Sequence, residues 1–252
     1  MEANEKRAIW KNRFYLLKEG KGLKLLLDAV NWGDAVAVLE LHEVLYKWLP
    51  SNPYDALELL DAKFADEQVR SYAVRCLEQF SDDDLILFMP QLIQALKYEA
   101  YHASKLAIFL LKRSIANRIR VGHFFFWFLR AEIIAPEFAE RFSLLAEIYL
   151  RGCGDHRTEL VNQLNLVTKL RDIAITIQKS PIQKRNDILK TKLEALNWRT
   201  DLQIPSNPTV SAGGLLLDKC KCKDSFTVRP SFAFLLFLLP VTKYSYNRHH
   251  CG

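Results

Sequence analysis

The chain has 252 residues, half of them hydrophobic and a quarter charged, with a formal net charge of +6. That leaves room for one large domain, or one domain plus a fragment, and only nine glycines with nine prolines argue against an all-β or disordered chain. The basic excess is spread out, and its densest zone, Lys97, Lys105, Lys112, Arg113, Arg118 and Arg120, reads as solvated helix faces rather than a nucleic-acid or anionic-membrane patch.

Apolar periodicity predicts helices at about 4–18, 23–30, 33–49, 53–61, 66–80, 83–98, 104–118, 121–133, 137–151, 156–179 and 182–197. Gly20 and Gly22 read as a helix-end signal. Asn52 before Pro53 suits a cap followed by the first helical position. Ser81 before Asp82, Asp83 and Asp84 is a cap followed by negative charge in the first turn, which explains that acidic run better than a cation site does. Ser180 and Pro181 repeat the cap-and-proline pattern.

In the 66–80 helix, Val69, Tyr72, Ala73, Cys76, Leu77 and Phe80 share one face. In the 121–133 helix, Phe124 to Leu129 leave almost no polar face, so this helix is expected to be enclosed by others. Trp10, Trp32, Trp48, Trp127 and Trp198 are each read as packing residues. The expected core is Trp10, Val69, Cys76, Phe80, Phe125, Trp127 and Phe142. Short connections make neighbouring helices antiparallel. The expected fold is mostly α: a right-handed, HEAT- or armadillo-like α-solenoid of stacked antiparallel helix pairs over residues 1–197, without exact sequence repeats.

The character changes near residue 198. Pro205 and Pro208, flanking Ser206 and Asn207, read as a linker, and Gly213 to Cys222 as a strand. Residues 198–232 are therefore expected to hold a linker and a short truncated β segment, and 233–252 a divergent tail. The apolar run from Ser231 to Val241 is too short for a membrane-spanning helix.

Candidate chemistry is thin. The cysteines are Cys76, Cys153, Cys220, Cys222 and Cys251, an odd number without a secretory leader, which implies reduced thiols and a cytoplasmic location. Cys220 and Cys222 with His249, His250 and Cys251 match no standard zinc spacing. His123 reads as a core or boundary histidine rather than a general base. The residues nominate no catalytic, cofactor-binding or metal-binding group.

The same segments carry a resemblance. V-R-S-Y-A-V-R-C-L-E at 69–78, L-I-Q-A-L-K-Y-E at 92–99 and G-H-F-F-F-W-F-L-R-A-E at 122–132 resemble the helical accessory domain of class I phosphoinositide 3-kinase catalytic subunits. K-R-A-I-W-K-N-R at 6–13, A-L-E-L-L-D at 56–61 and R-F-S-L-L-A-E-I-Y-L-R-G at 141–152 extend it. L-L-L-D-K-C-K at 215–221, Asp224-Ser225 and Arg229-Pro230 resemble the first strands of that family's kinase N-lobe. The resemblance covers roughly residues 5–230, and Leu202-Gln203 followed by Pro205, Asn207 and Pro208 leans towards a β-like subunit.

The resemblance implies a parent enzyme that uses Mg-ATP to phosphorylate the 3-hydroxyl of membrane phosphoinositides. It implies a helical spine that holds the other domains of the subunit and receives an SH2 domain of a regulatory subunit. Glu2 and Glu5 are the candidate SH2 contacts. Membrane contact is expected only through the complete enzyme, and no nucleic-acid partner is expected. The phosphate loop, nucleotide lysine, base and metal carboxylates of phosphoryl transfer belong downstream of residue 232 in that family. No D-F-G or D-R-H occurs, and Arg248-His249-His250 lacks the leading Asp. The chain alone is thus expected to be inactive and to bind no cofactor. Two alternatives stand beside this scaffold reading: part of a complete phosphatidylinositol-4,5-bisphosphate 3-kinase, and an unrelated armadillo-type adaptor.

Overall fold

A computed structural model describes residues 2–19, 22–196, 202–214, 216–222 and 244–246. The helices are α1 (Ala3–Lys11), α2 (Arg13–Glu19), α3 (Leu23–Ala29), α4 (Ala35–Lys47), α5 (Pro53–Ala56), α6 (Glu67–Leu77), α7 (Asp82–Ala95), α8 (Lys105–Ala116), α9 (His123–Glu132), α10 (Ala139–Gly152), α11 (His156–Gln178) and α12 (Arg185–Glu194). Strands β1 (Leu202–Ile204), β2 (Asn207–Ala212) and β3 (Tyr244–Tyr246) form an antiparallel sheet in that order. The chain is thus mostly α with a short β segment, as the sequence predicts.

Packing divides the chain into two compact units. One gathers the described residues of 1–113 and 128–145, the other those of 114–127 and 146–252. In the first, α1 packs on α3, α2 on α4, and α4 on α6, the alternation of stacked helix pairs. Leu26, Leu41, Val69, Leu77, Leu85 and Met89 are fully buried there.

Caps set the helix starts. Asn52 Oδ1 accepts from the Tyr54 N–H at 3.1 Å ahead of α5, and Ser81 Oγ from the Asp84 N–H at 3.1 Å ahead of α7. Asp66 Oδ1 accepts from both Gln68 and Val69 N–H at 3.0 Å ahead of α6. The helix predicted over about 4–18 is broken into α1 and α2. At the break, Asn12 Nδ2 donates to the Ala8 carbonyl at 2.9 Å, a local side-chain bond that competes with helix continuation.

Of the expected core, Val69, Cys76, Phe80, Phe125 and Phe142 are buried. Trp10 and Trp127 are only half-buried. Helix α1 buries no residue, and the Arg13 guanidinium lies over the Trp10 ring at 5.0 Å. The Trp127 Nε1 donates to Oε1 of the fully buried Gln163 at 3.0 Å, so a polar partner interrupts the apolar enclosure expected around this helix. Trp48 is buried, Trp32 is 44% exposed, and Trp198 lies outside the described residues.

The C-terminal reading needs correction. The segment expected to be a linker is the hairpin β1–β2, turning at Pro205 and Ser206. Its register jumps from Gln203↔Ser211 to Ile204↔Asn207, which places Pro208 in a bulge where β1 requires no N–H from it. Asn207 Oδ1 accepts from the Thr209 N–H at 3.1 Å and hydroxyl at 2.7 Å, closing the bulge. The expected strand 213–222 instead contains a 3₁₀ turn, Leu217–Lys219. Its spacing of three aims Leu217 and Cys220 together at Leu170, Ile173, Leu189 and Leu193 of α11 and α12. The Cys222 N–H donates to Asn186 Oδ1 at 2.9 Å. The described residues of 202–222 are therefore docked on helices, not free of them. The apolar run from Phe232 to Val241, and His249, His250 and Cys251, lie outside the described residues.

A π turn, Arg118–Gly122, leads into α9. A Cβ on Gly122 would fall 2.1 Å from Tyr149 Oη and 2.6 Å from the Ser114 carbonyl oxygen. Gly122→Ala should therefore destabilise by about 1–3 kcal/mol through overpacking. Gly33→Ala, whose Cβ would meet nothing nearer than Asn31 Oδ1 at 3.6 Å, should stay within about 0.5 kcal/mol. Urea midpoints measure both, and equal midpoints would contradict this packing.

Candidate functional site

The most concentrated polar construction lies around Arg70, on α6 and 4% exposed. Its Nε donates to Glu99 Oε1 at 2.7 Å. One terminal nitrogen donates to the carbonyls of Leu60 at 3.0 Å, Phe64 at 3.2 Å and Asp61 at 3.3 Å. The other donates to the Ala95 carbonyl at 3.1 Å. One planar guanidinium thus joins α6 to the end of the 3₁₀ turn Leu57–Leu60, to the loop before α6, and to the last residue of α7. The last carbonyls of a helix have no partner within it, and a cation there also meets the negative end of the helix dipole.

Other arginines repeat the device. Arg75 donates to the Leu45 carbonyl at 2.9 Å, and Arg113 to the Phe80 carbonyl at 2.9 Å and Asp82 Oδ1 at 2.6 Å. Arg141 donates to the Leu96 carbonyl. Lys97 pairs with Glu132 at 2.7 Å. Arg113 and Lys97, expected on solvated faces, are thus partly buried and engaged. Tyr72, whose hydroxyl donates to the Leu49 carbonyl at 3.0 Å and accepts from the Ser51 N–H at 3.2 Å, ties the segment after α4 to α6. Burial pushes its phenol up to about 12, so it remains a neutral donor.

Arg70 was not among the residues the sequence nominates. A signal for it exists: Arg70, Val74 and Leu77 recur at helical spacing and all three are buried. Its partners carry no signal, because four of them are backbone carbonyls.

The acidic candidates have local partners. Asp84 accepts from the Ser81 hydroxyl at 2.6 Å and the Tyr54 hydroxyl at 3.0 Å, which hold its carboxyl below the usual range, Ser81 foremost. Glu2 and Glu5 are exposed on the first turn of α1, where Glu5 Oε2 accepts from the Glu2 N–H at 2.8 Å. Glu5 therefore caps its own helix. His123 is fully buried, with Nε2 2.8 Å from the Pro205 carbonyl oxygen.

A cleft of about 230 Å³ opens beside the Arg70–Glu99 pair, lined also by Glu67, Tyr101, Ser104 and Lys105. Its two buried charges already neutralise one another. Among the described residues no three His, Cys, Asp or Glu side chains gather as a metal site, and no helix is long and apolar enough to cross a membrane. What the arrangement does is mechanical: it fixes helix against helix.

Breaking one partner of a buried ion pair leaves the other charge uncompensated. Arg70→Met should lower unfolding free energy by about 3–5 kcal/mol. Arg151→Met, which removes an exposed pair with Glu147 within α10, should change it by less than about 0.5 kcal/mol. Chemical denaturation of both variants checks this, and similar losses would contradict the joint.

The model of the phosphoinositide 3-kinase family accessory domain (PIK domain) matches residues 1–162. Phosphatidylinositol 3-kinase 2 of Dictyostelium discoideum is 39% identical over 226 residues, covering 89% of this chain and 12% of that protein. Phosphatidylinositol 3-kinase 1 of the same organism is 40% identical over 217 residues, covering 86% and 14% respectively. Phosphatidylinositol 3-kinase 3 is 36% identical over 231 residues, covering 90% and 14%. The chain thus spans between 12% and 14% of the length of these relatives. With the stacked, arginine-joined helices, these matches make the chain a member of the phosphoinositide 3-kinase family, and its helical stack that family's accessory domain.

Proposed function

We propose that this chain acts as the helical scaffold of a phosphatidylinositol 3-kinase catalytic subunit, holding the subunit's other domains in register for phosphoinositide signalling. The observation that carries the reading is the extent of the match: similarity to three proteins named phosphatidylinositol 3-kinases runs over 217 to 231 residues, beyond the 162 matched by the accessory-domain model. The chemistry of the helices supports it, since their buried cations bond helix ends rather than line a reaction centre. In this reading residues 1–197 are the scaffold, 198–232 the connection to a kinase N-lobe and its start, and 233–252 a divergent tail.

The reaction of the complete enzyme is transfer of phosphate from Mg-ATP to the 3-hydroxyl of a membrane phosphoinositide, in the cytoplasm and at the membrane face. This chain supplies no group to that step. A lipid kinase assay on the purified 252-residue chain, with Mg-ATP and vesicles containing phosphatidylinositol-4,5-bisphosphate, should give no turnover above a heat-denatured control. Turnover would overturn the scaffold reading.

A regulatory SH2 domain is the partner the acidic start of α1 would receive. With only Glu2 and Glu5 available, and Glu5 occupied as a cap, binding should be weak and salt-sensitive, each exposed pair contributing about 0–1 kcal/mol. Glu2→Lys, which leaves the Glu5 carboxylate in place, should weaken titration of an SH2 domain at low salt. Submicromolar affinity at physiological salt, unchanged by Glu2→Lys, would contradict this contact.

A further inference from the structure

Two polar bonds fasten the β1–β2 hairpin to the helices of its own unit. At its turn, the Pro205 carbonyl oxygen lies 2.8 Å from Nε2 of the fully buried His123. One strand earlier, the Gln203 N–H donates to Glu159 Oε1 of α11 at 3.0 Å. A carbonyl only accepts, so His123 donates from Nε2. Among the described residues its Nδ1 is buried without a hydrogen-bond partner, and a second proton placed there would find no acceptor among them. The site therefore fits the neutral ring. Facing it, the His156 ring lies 5.8 Å away between centroids, and its Nε2 is also buried without a partner. Gln203 Oε1, on the hairpin itself, is a third such atom.

We propose that His123 and His156 form a proton-sensitive latch, which holds the β1–β2 hairpin on α9 and α11 while both rings are neutral and releases it when they take up protons. With the hairpin down, a charge on the His123 ring would be buried, unsatisfied, and beside a second protonatable ring, and one on the half-buried His156 would lie beside His123. With the hairpin lifted, the Pro205 bond is gone and the His123 ring reaches water. Burial draws His123 down to about 4, against the smaller opposing effect of the Pro205 bond and with help from His156; burial lowers His156 as well.

The sign follows from linkage. Above the ordinary histidine value near 6.5, neither form takes a proton and the latch is at full strength. As pH falls from there towards 4, the lifted form binds at His123 a proton that the latched form refuses, so release becomes easier by about tenfold per pH unit. The surrounding groups do not mask this. Leu202 to Ala212 carry no titratable side chain. On α11, Glu159 is held by Gln203 and by Gln163 Nε2 at 3.4 Å. The π turn contributes Arg118, whose Nε donates to the Ile115 carbonyl, and Arg120. On α10 and just after it, burial raises Tyr149 and Cys153, which stay neutral through this range.

The test is amide hydrogen exchange of the full 252-residue chain from pH 7.5 to 4.5, expressed as protection factors, with the histidine ring resonances followed in parallel. Protection of hairpin amides such as Gln203 and Ser211 should fall about tenfold per pH unit below about 6 while α6 amides keep theirs. In the double variant His123→Gln with His156→Leu, the glutamine amide can still donate to Pro205 but cannot titrate, and hairpin protection should become flat with pH. Hairpin protection that is flat in the unmodified chain, or an unchanged slope in the double variant, overturns the latch. So does loss of α6 protection at the same pH, which marks global acid unfolding. Should the double variant fail to fold, the ring resonances decide. Titration of His123 below about 5, in step with hairpin amide shifts, supports the latch, and titration near 6.5 without such shifts overturns it.

Discussion

A stack of short helices creates many helix ends, and each C-terminal end leaves backbone carbonyls without intrahelical partners. Where those ends are buried the carbonyls must find donors, because an unpaired buried acceptor costs about 1–3 kcal/mol. The Arg70 guanidinium answers that constraint at the densest point of the first unit, serving four carbonyls and one carboxylate from a single side chain. A lysine would offer a point charge with three donors and no planar fork, and could not reach this set in one geometry.

The same solution at Arg75, Arg113 and Arg141 gives the protein its character. Cations are drawn inward to join helices. It also relates fold to role. A scaffold must hold distant surfaces at fixed spacing, and joints made of hydrogen-bonded guanidinium groups are directional where apolar packing alone is not. The buried imidazole at Pro205 is a softer joint of the same kind, since its donor can also titrate.

Much of this was legible in the sequence. Asn52 and Ser81 identify their helix starts by local chemistry alone, and the apolar face of α6 is written in Val69, Tyr72, Ala73, Cys76 and Leu77. Long-range backbone partners were not. Arg70 bonds carbonyls, which every residue type possesses, and Pro205 lies 82 positions from His123. Pro205 and Pro208 suggest a linker because proline disfavours strands, yet a hairpin turn and a bulge are the two places where a strand pair accepts it. The leucines at 215–217 suggest a strand by composition, but the spacing of three between Leu217 and Cys220 suits a turn packed on α11 and α12. The apolar run from Phe124 to Leu129 suggests an enclosed Trp127, and packing is the default for Trp10, yet both are half-buried, the first with its Nε1 bonded to Gln163 and the second beneath the Arg13 guanidinium.

The central claim is that buried guanidinium joints, not apolar packing alone, fix helix against helix in the scaffold. A double-mutant cycle between Arg70→Met and Glu99→Gln, read by equilibrium unfolding, tests it most directly, with the exposed Arg151–Glu147 pair as reference. The account predicts a coupling of at least about 2 kcal/mol for the buried pair, in the upper part of the range for contacting residues. It predicts no more than about 0.5 kcal/mol for the exposed one. A buried-pair coupling as small as the exposed one would contradict it.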